Sequence, residues 1–109
     1  MFRHEKAAAV AQIVEVERLP GIMNLSVPAG EPYHPDYRRH LWRLRYRVTP
    51  DAGEPFEDVE EVWLGQTLDP VPGIPIHVTF RPKDSSHIRF DDTTEHVHAL
   101  RLAIEAAAS

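Results

Sequence analysis

The sequence contains no cysteine. That excludes disulfide staples, thiolate zinc sites, iron–sulfur ligation and a thiol nucleophile. No apolar run approaches the ~18 residues that a membrane-spanning helix needs. The five glycines are scattered and form no phosphate-cradling loop. None of Ser26, Ser85, Ser86 and Ser109 lies in a G-x-S-x-G setting, so a serine nucleophile has no support. The segment Met1 to Lys6 lacks an apolar core after its charges. No secretion signal is therefore expected, and a cytoplasmic location is the default expectation.

What the chain does have is ordinary globular composition. Its 109 residues are 42% hydrophobic and 27% charged, which suits one folded domain spanning 1–109. The formal charge of -5 disfavours a wholly electrostatic nucleic-acid binder. That small total conceals a segregation of charge. Five arginines lie between Arg38 and Arg47, and six acids lie between Asp51 and Glu61.

Hydrophobic periodicity predicts mostly strands. Residues 1–9 read as an alanine-rich, frayed lead-in. Residues 10–19 alternate Val14 and Val16 with Glu15 and Glu17, which predicts a strand that Pro20-Gly21 ends. Residues 20–36 hold four prolines and predict a long irregular connection, interrupted by a short extended piece from Ile22 to Val27. Residues 38–48 give the clearest strand. His40, Trp42, Leu44, Tyr46 and Val48 share one face, and Arg39, Leu41, Arg43, Arg45 and Arg47 share the other. Residues 56–64 predict a second strand, with a bulge or helical turn to reconcile Val59 with Val62. Residues 74–81 place Ile74, Ile76, Val78 and Phe80 inward, with Pro75 marking a start at a sheet edge. A turn at Pro82-Lys83-Asp84-Ser85 leads to a short strand over 86–90, with Ile88 and Phe90 inward. Residues 93–108 predict the one helix, capped by Asp92 with Glu95 in capping-box spacing.

The expected fold is therefore mainly β with one helix, in the α+β class. A small curved antiparallel sheet or partly open barrel, paired as a meander, would carry a C-terminal helix.

Four stretches carry a family resemblance: Val48 to Phe56, Pro72 to Val78, Arg81 to Asp84, and His87 to Asp91. Together they make the chain from Trp42 to Asp91 resemble small actinobacterial β-barrel domains of unknown function, which are themselves similar to oligonucleotide/oligosaccharide-binding barrels. The resemblance implies a barrel fold and brings no catalytic residue and no cofactor.

Several constellations compete for a function. Arg43, Arg45 and Arg47 step along one strand face at ~6.8 Å, comparable with phosphate spacing along a single strand. Such a stripe suits single-stranded nucleic acid. Pairing with Glu15 and Glu17 on one neighbour, and with Glu57 and Glu61 on another, would neutralise it. Glu57, Asp58, Glu60 and Glu61 otherwise read as a solvated acidic face. Seven histidines raise the question of a metal. His96 and His98, two apart on a helix, point ~200° apart and cannot share an ion. His34, Asp36 and His40 would join one site only if the 22–40 loop folds back, so a small-molecule or metal-dependent activity there is a lesser alternative. No metal and no other cofactor is expected.

The helix gives the most informative surface. Val97, Leu100, Ala103, Ile104 and Ala107 cover one side, and Leu102 with Ala99 and Ala106 forms a second apolar stripe. A helix apolar on two sides can bury one against its own domain and the other against a protein partner or a second copy. Phe56, Trp63, Tyr33 and Tyr37 are candidate aromatic anchors, with a core role equally open for Trp63. The reading is a non-catalytic protein-interaction or self-associating module. Its main alternative is nucleic-acid binding by Arg43, Arg45 and Arg47.

Overall fold

The structure is a computed structural model and describes residues 6–51, 53–81 and 84–109, without the side chains of 84–86. The expected frayed residues 1–5, the Pro82-Lys83 turn and the side chains of Ser85 and Ser86 lie outside the described residues. Five strands and one helix follow in order: β1 (Ala7–Asn24), β2 (Arg38–Val48), β3 (Phe56–Gly65), β4 (Pro75–Arg81), β5 (Asp84–Phe90) and α1 (Thr94–Ala108). A short 3-10 helix, Pro35–Tyr37, precedes β2. All strand pairs are antiparallel, in the order β3-β2-β1-β4-β5. The sheet curls into a nearly closed barrel, and the Phe90 N–H reaches across from β5 to the Glu60 carboxylate of β3 at 2.9 Å. The mainly β fold with one terminal helix is as expected from the sequence.

The pairing is not a simple meander. β1 is central because it is long enough to serve two neighbours. Its first half pairs with β4 from Ala7 to Gln12, and its register with β2 runs from Gln12 to Asn24. Ala7, Ala8 and Ala9 are thus paired strand residues, not frayed chain. Pro20-Gly21 does not end the strand either. The register shifts between Arg18 and Ile22, so Pro20 sits where a missing N–H breaks no ladder bond. Gly21 has φ +146°, and a Cβ there would come within 3.2 Å of the Trp63 ring. Only glycine fits that close, left-handed position.

Alternation fills the interior. Ile13 from β1, Leu44, Tyr46 and Val48 from β2, Leu64 from β3, Ile76 and Val78 from β4, and Ile88 from β5 are almost fully buried. Phe56 packs edge-on against Phe80 with ring centroids 5.3 Å apart, so it belongs to this interior. β3 has no bulge. Its register with β2 is continuous from Arg39↔Gly65 to Val48↔Phe56. The inward positions of β3 therefore include Glu60, directly opposite Leu44, while Val59 lies opposite Arg45 on the outer face. Pro75 opens β4 as its first residue, a place that costs no ladder bond, although β4 lies between β1 and β5 and not at an edge.

The helix is capped by Thr93, whose hydroxyl accepts from the His96 N–H, and not by Asp92. Leu100 is its one buried residue, flanked by the partly buried Val97, Ala103 and Ile104. Docking is reinforced at the first turn. The His96 ring stacks on His77 of β4 at 4.0 Å.

Candidate functional site

Three surfaces hold the residues singled out by the sequence. The first is the outer face of β2. Arg43, Arg45 and Arg47 point outward, as the alternation requires. Each meets an acid on an adjoining strand. Arg43 donates to Glu17 at 2.8 Å and to Glu61 at 3.1 Å. Arg45 lies 3.7 Å from Glu15, and Arg47 lies 3.6 Å from Glu57. The register places these partners directly opposite one another: Glu17↔Arg43↔Glu61, Glu15↔Arg45 and Arg47↔Glu57. The hydrogen bonds it donates to Glu61 and then Glu17 hold the Arg43 guanidinium further toward its charged form. The stripe is an ion-paired ladder of three arginines and four glutamates, as the neighbouring acids led us to expect.

The second surface is an arm. Beyond Ile13, the edge of β1 that faces away from β2 has no strand partner among the described residues. The paired end of β1 from Ile22 to Asn24, and the hydrogen-bonded loop from Leu25 to the 3-10 helix, project together. The Leu25 N–H donates to the Tyr37 carbonyl at 2.7 Å, and the Tyr37 hydroxyl donates to Glu31 at 3.1 Å. Tyr33 rests near Tyr37, with ring centroids 6.2 Å apart. The radius of gyration is 15.0 Å, against about 13 Å for a compact chain of this length. Ile22, Leu25, Val27 and Tyr33 account for four of the six large exposed apolar residues among those described. The others are Val10 and Leu102. On the second stripe of α1, Leu102 is 51% exposed and Ala106 is exposed, while Ala99 is half-buried. Trp63 instead packs its ring against Gly21.

The base of the arm is fixed by Asp36. Its Oδ1 accepts from the Thr67 N–H at 2.9 Å and the Thr67 hydroxyl at 2.6 Å. Its Oδ2 accepts from Arg101 of α1 at 2.6 Å. Burial opposes ionisation of Asp36, but the Thr67 hydrogen bonds and the Arg101 charge together hold its carboxyl below the usual value. Gly65 permits this approach, since a Cβ there would sit 2.5 Å from Asp36 Cγ. His34 caps the 3-10 helix by accepting from the Asp36 N–H at 3.0 Å, while His40 lies within β2. No group of three metal-ligating side chains occurs among the described residues.

The third is buried around Glu60, which the sequence placed on a solvated acidic face. Glu60 is only 7% exposed. Its Oε1 accepts from the Tyr46 hydroxyl at 2.7 Å and the Phe90 N–H at 2.9 Å. Burial pushes the Glu60 carboxyl up, against the lowering effect of these bonds and of the Arg89 charge. Burial and the neighbouring carboxylate push the Tyr46 hydroxyl well above its ordinary value, so it stays a donor. The acidic run 51–61 is thus not wholly a solvated face. The signal was its parity: Glu60 shares the period-2 face of Phe56, Val62 and Leu64.

The chain matches no protein-family model, no curated protein and no solved structure.

Proposed function

We propose that this domain is a non-catalytic interaction module of the cytoplasm that self-associates through its projecting arm, with the open stripe of α1 as a secondary contact. One observation carries the reading. Large exposed apolar side chains are concentrated between Ile22 and Tyr33, at the end of β1 and on the loop after it, which hydrogen bonds hold in place. A pre-ordered loop loses less conformational entropy on binding than a flexible one. Apolar and tyrosine side chains are the usual anchors of interfaces. The exposed edge of β1 is blunted by Pro20, by its irregular stretch and by Glu15 and Glu17, which argues for side-chain contact over strand addition. Light scattering over a concentration range tests the reading. The wild type is expected to gain mass with concentration, and Tyr33→Glu to lose that gain. Leu102→Glu is expected to weaken association less. A monomer mass for the wild type at every concentration overturns self-association.

A second reading is binding of single-stranded nucleic acid. It is favoured by the placement of Arg43, Arg45 and Arg47, because partly open five-stranded barrels bind oligonucleotides on strands 2 and 3 and on the loop joining strands 1 and 2. The acids opposite each arginine argue against it, since phosphates would compete with partners already in place. A salt-dependent shift with a short oligonucleotide, lost on substitution of the three arginines by alanine, would favour it over self-association.

A further inference from the structure

The barrel is open along one line. β3 and β5 are the ends of the sheet order and share no ladder pairing, so the Phe90 N–H to Glu60 bond spans a seam between them. A cleft of about 350 Å³ lies along it. Glu60 and Val62 of β3, Arg89 and Phe90 of β5, and Val97 of α1 line it, and Arg39 reaches its rim. Glu60 is more than nine-tenths buried, and both of its protein hydrogen bonds end on Oε1. Oε2 has no hydrogen-bond partner among the described residues. This oxygen is not enclosed: it opens into the cleft, where water or a ligand can donate to it.

Two guanidinium groups complete the cleft. Arg89 is close enough for its charge to act on Glu60, and it gives one nitrogen to the Ile88 carbonyl. Arg39 gives its Nε to the Asp36 carbonyl. Each retains further N–H donors, and a planar guanidinium suits a carboxylate. Asp36 adds no free acceptor, because Thr67 and Arg101 already occupy both of its oxygens. The cleft thus presents the open Oε2 of Glu60, two cationic forks and an apolar wall from Val62, Phe90 and Val97, with the exposed Asp92 carboxylate also on its lining.

We propose that the β3–β5 cleft binds a small zwitterion of the amino-acid type, its protonated nitrogen on Glu60 Oε2 and its carboxylate on Arg39 and Arg89. The proposal does not rest on the association read from the arm, although Arg39 and Asp36 at the arm's base border the cleft. An amine alone leaves the guanidinium groups to water, and a carboxylate alone leaves Oε2 to water. A zwitterion matches both.

Titrations followed by amide NMR test this, with glycine, β-alanine, 4-aminobutyrate and leucine as zwitterionic probes and butylamine and butyrate as single-charge controls. At least one zwitterion is expected to shift the Phe90, Arg89 and Val62 amides saturably, and more tightly than either control. Glu60→Gln keeps an oxygen to accept from Tyr46 and Phe90 while losing the charge, and is expected to weaken binding about tenfold or more. Arg89→Ala, at an exposed residue, is expected to weaken the zwitterion while leaving butylamine unaffected. The spread of amide signals verifies that each variant is folded. Absence of saturable shifts with every zwitterion overturns the proposal, as does equal binding by wild type and Glu60→Gln.

Discussion

Arg101 of the terminal helix holds Asp36 at the base of the arm, with 2.6 Å between Nη2 and Oδ2. The pair joins segments that are far apart in the chain and lie on different elements. It makes the helix part of the arm's support. Asp36→Ala would remove this contact and both Thr67 bonds. The expected loss is about 1–3 kcal/mol, read by urea unfolding. Asp36→Asn, which keeps an acceptor for Thr67, should lose less.

Gly65→Ala tests the same joint from the other side. The new Cβ would fall on the Asp36 side chain, and no rotation of a methyl group avoids it. Asp36 must leave its partners, so this one-carbon change should destabilise as much as Asp36→Ala. Its Thr67 amide should also lose protection in hydrogen exchange. An unchanged exchange rate would contradict the described packing.

Glu60 and Asp36 give opposite dependences on pH. The folded-state value of Glu60 is raised above the ordinary 4.5. The folded protein therefore holds this proton more tightly than the unfolded chain, and stability falls as pH rises from near 4.5 through the raised value. Asp36 is lowered, so its contribution is present above its ordinary 3.8 and is lost as pH falls through the folded value. Glu60→Gln should abolish the decline on the neutral side and leave the acid loss intact. Tyr46→Phe removes a bond that favours the carboxylate, so it should extend the decline to higher pH. Urea midpoints across the range measure both effects.

The arginine ladder predicts a small effect where a free stripe would predict a large one. Replacing Arg45 or Arg47 by alanine should barely move the unfolding midpoint, because exposed ion pairs contribute little. The same variants should show no loss of oligonucleotide affinity at physiological salt, because the wild type is expected to have none to lose.

Strand faces were legible in the sequence wherever alternation was clean. Residues 38–48 form β2 with the predicted inward and outward sets, and the acids opposite the arginines were already apparent from the spacing of Glu15, Glu17, Glu57 and Glu61. The strand order was not legible, because β1 continues through Pro20-Gly21 by an irregular stretch that local turn chemistry reads as a stop. Nor was Glu60. Charge argued for solvent, and only a tertiary partner, the Phe90 N–H across the seam, makes its burial tolerable. Asp36 was singled out for a metal that would need His34 and His40 beside it. Its real partners, Thr67 and Arg101, lie too far along the chain for spacing to reveal.

Sedimentation equilibrium of the wild type beside an Ile22→Glu, Tyr33→Glu double variant tests the arm most directly. The account predicts a wild type that associates reversibly, and a folded double variant whose association is weaker by about tenfold or more. Equal masses for the two proteins at every loading concentration would contradict it.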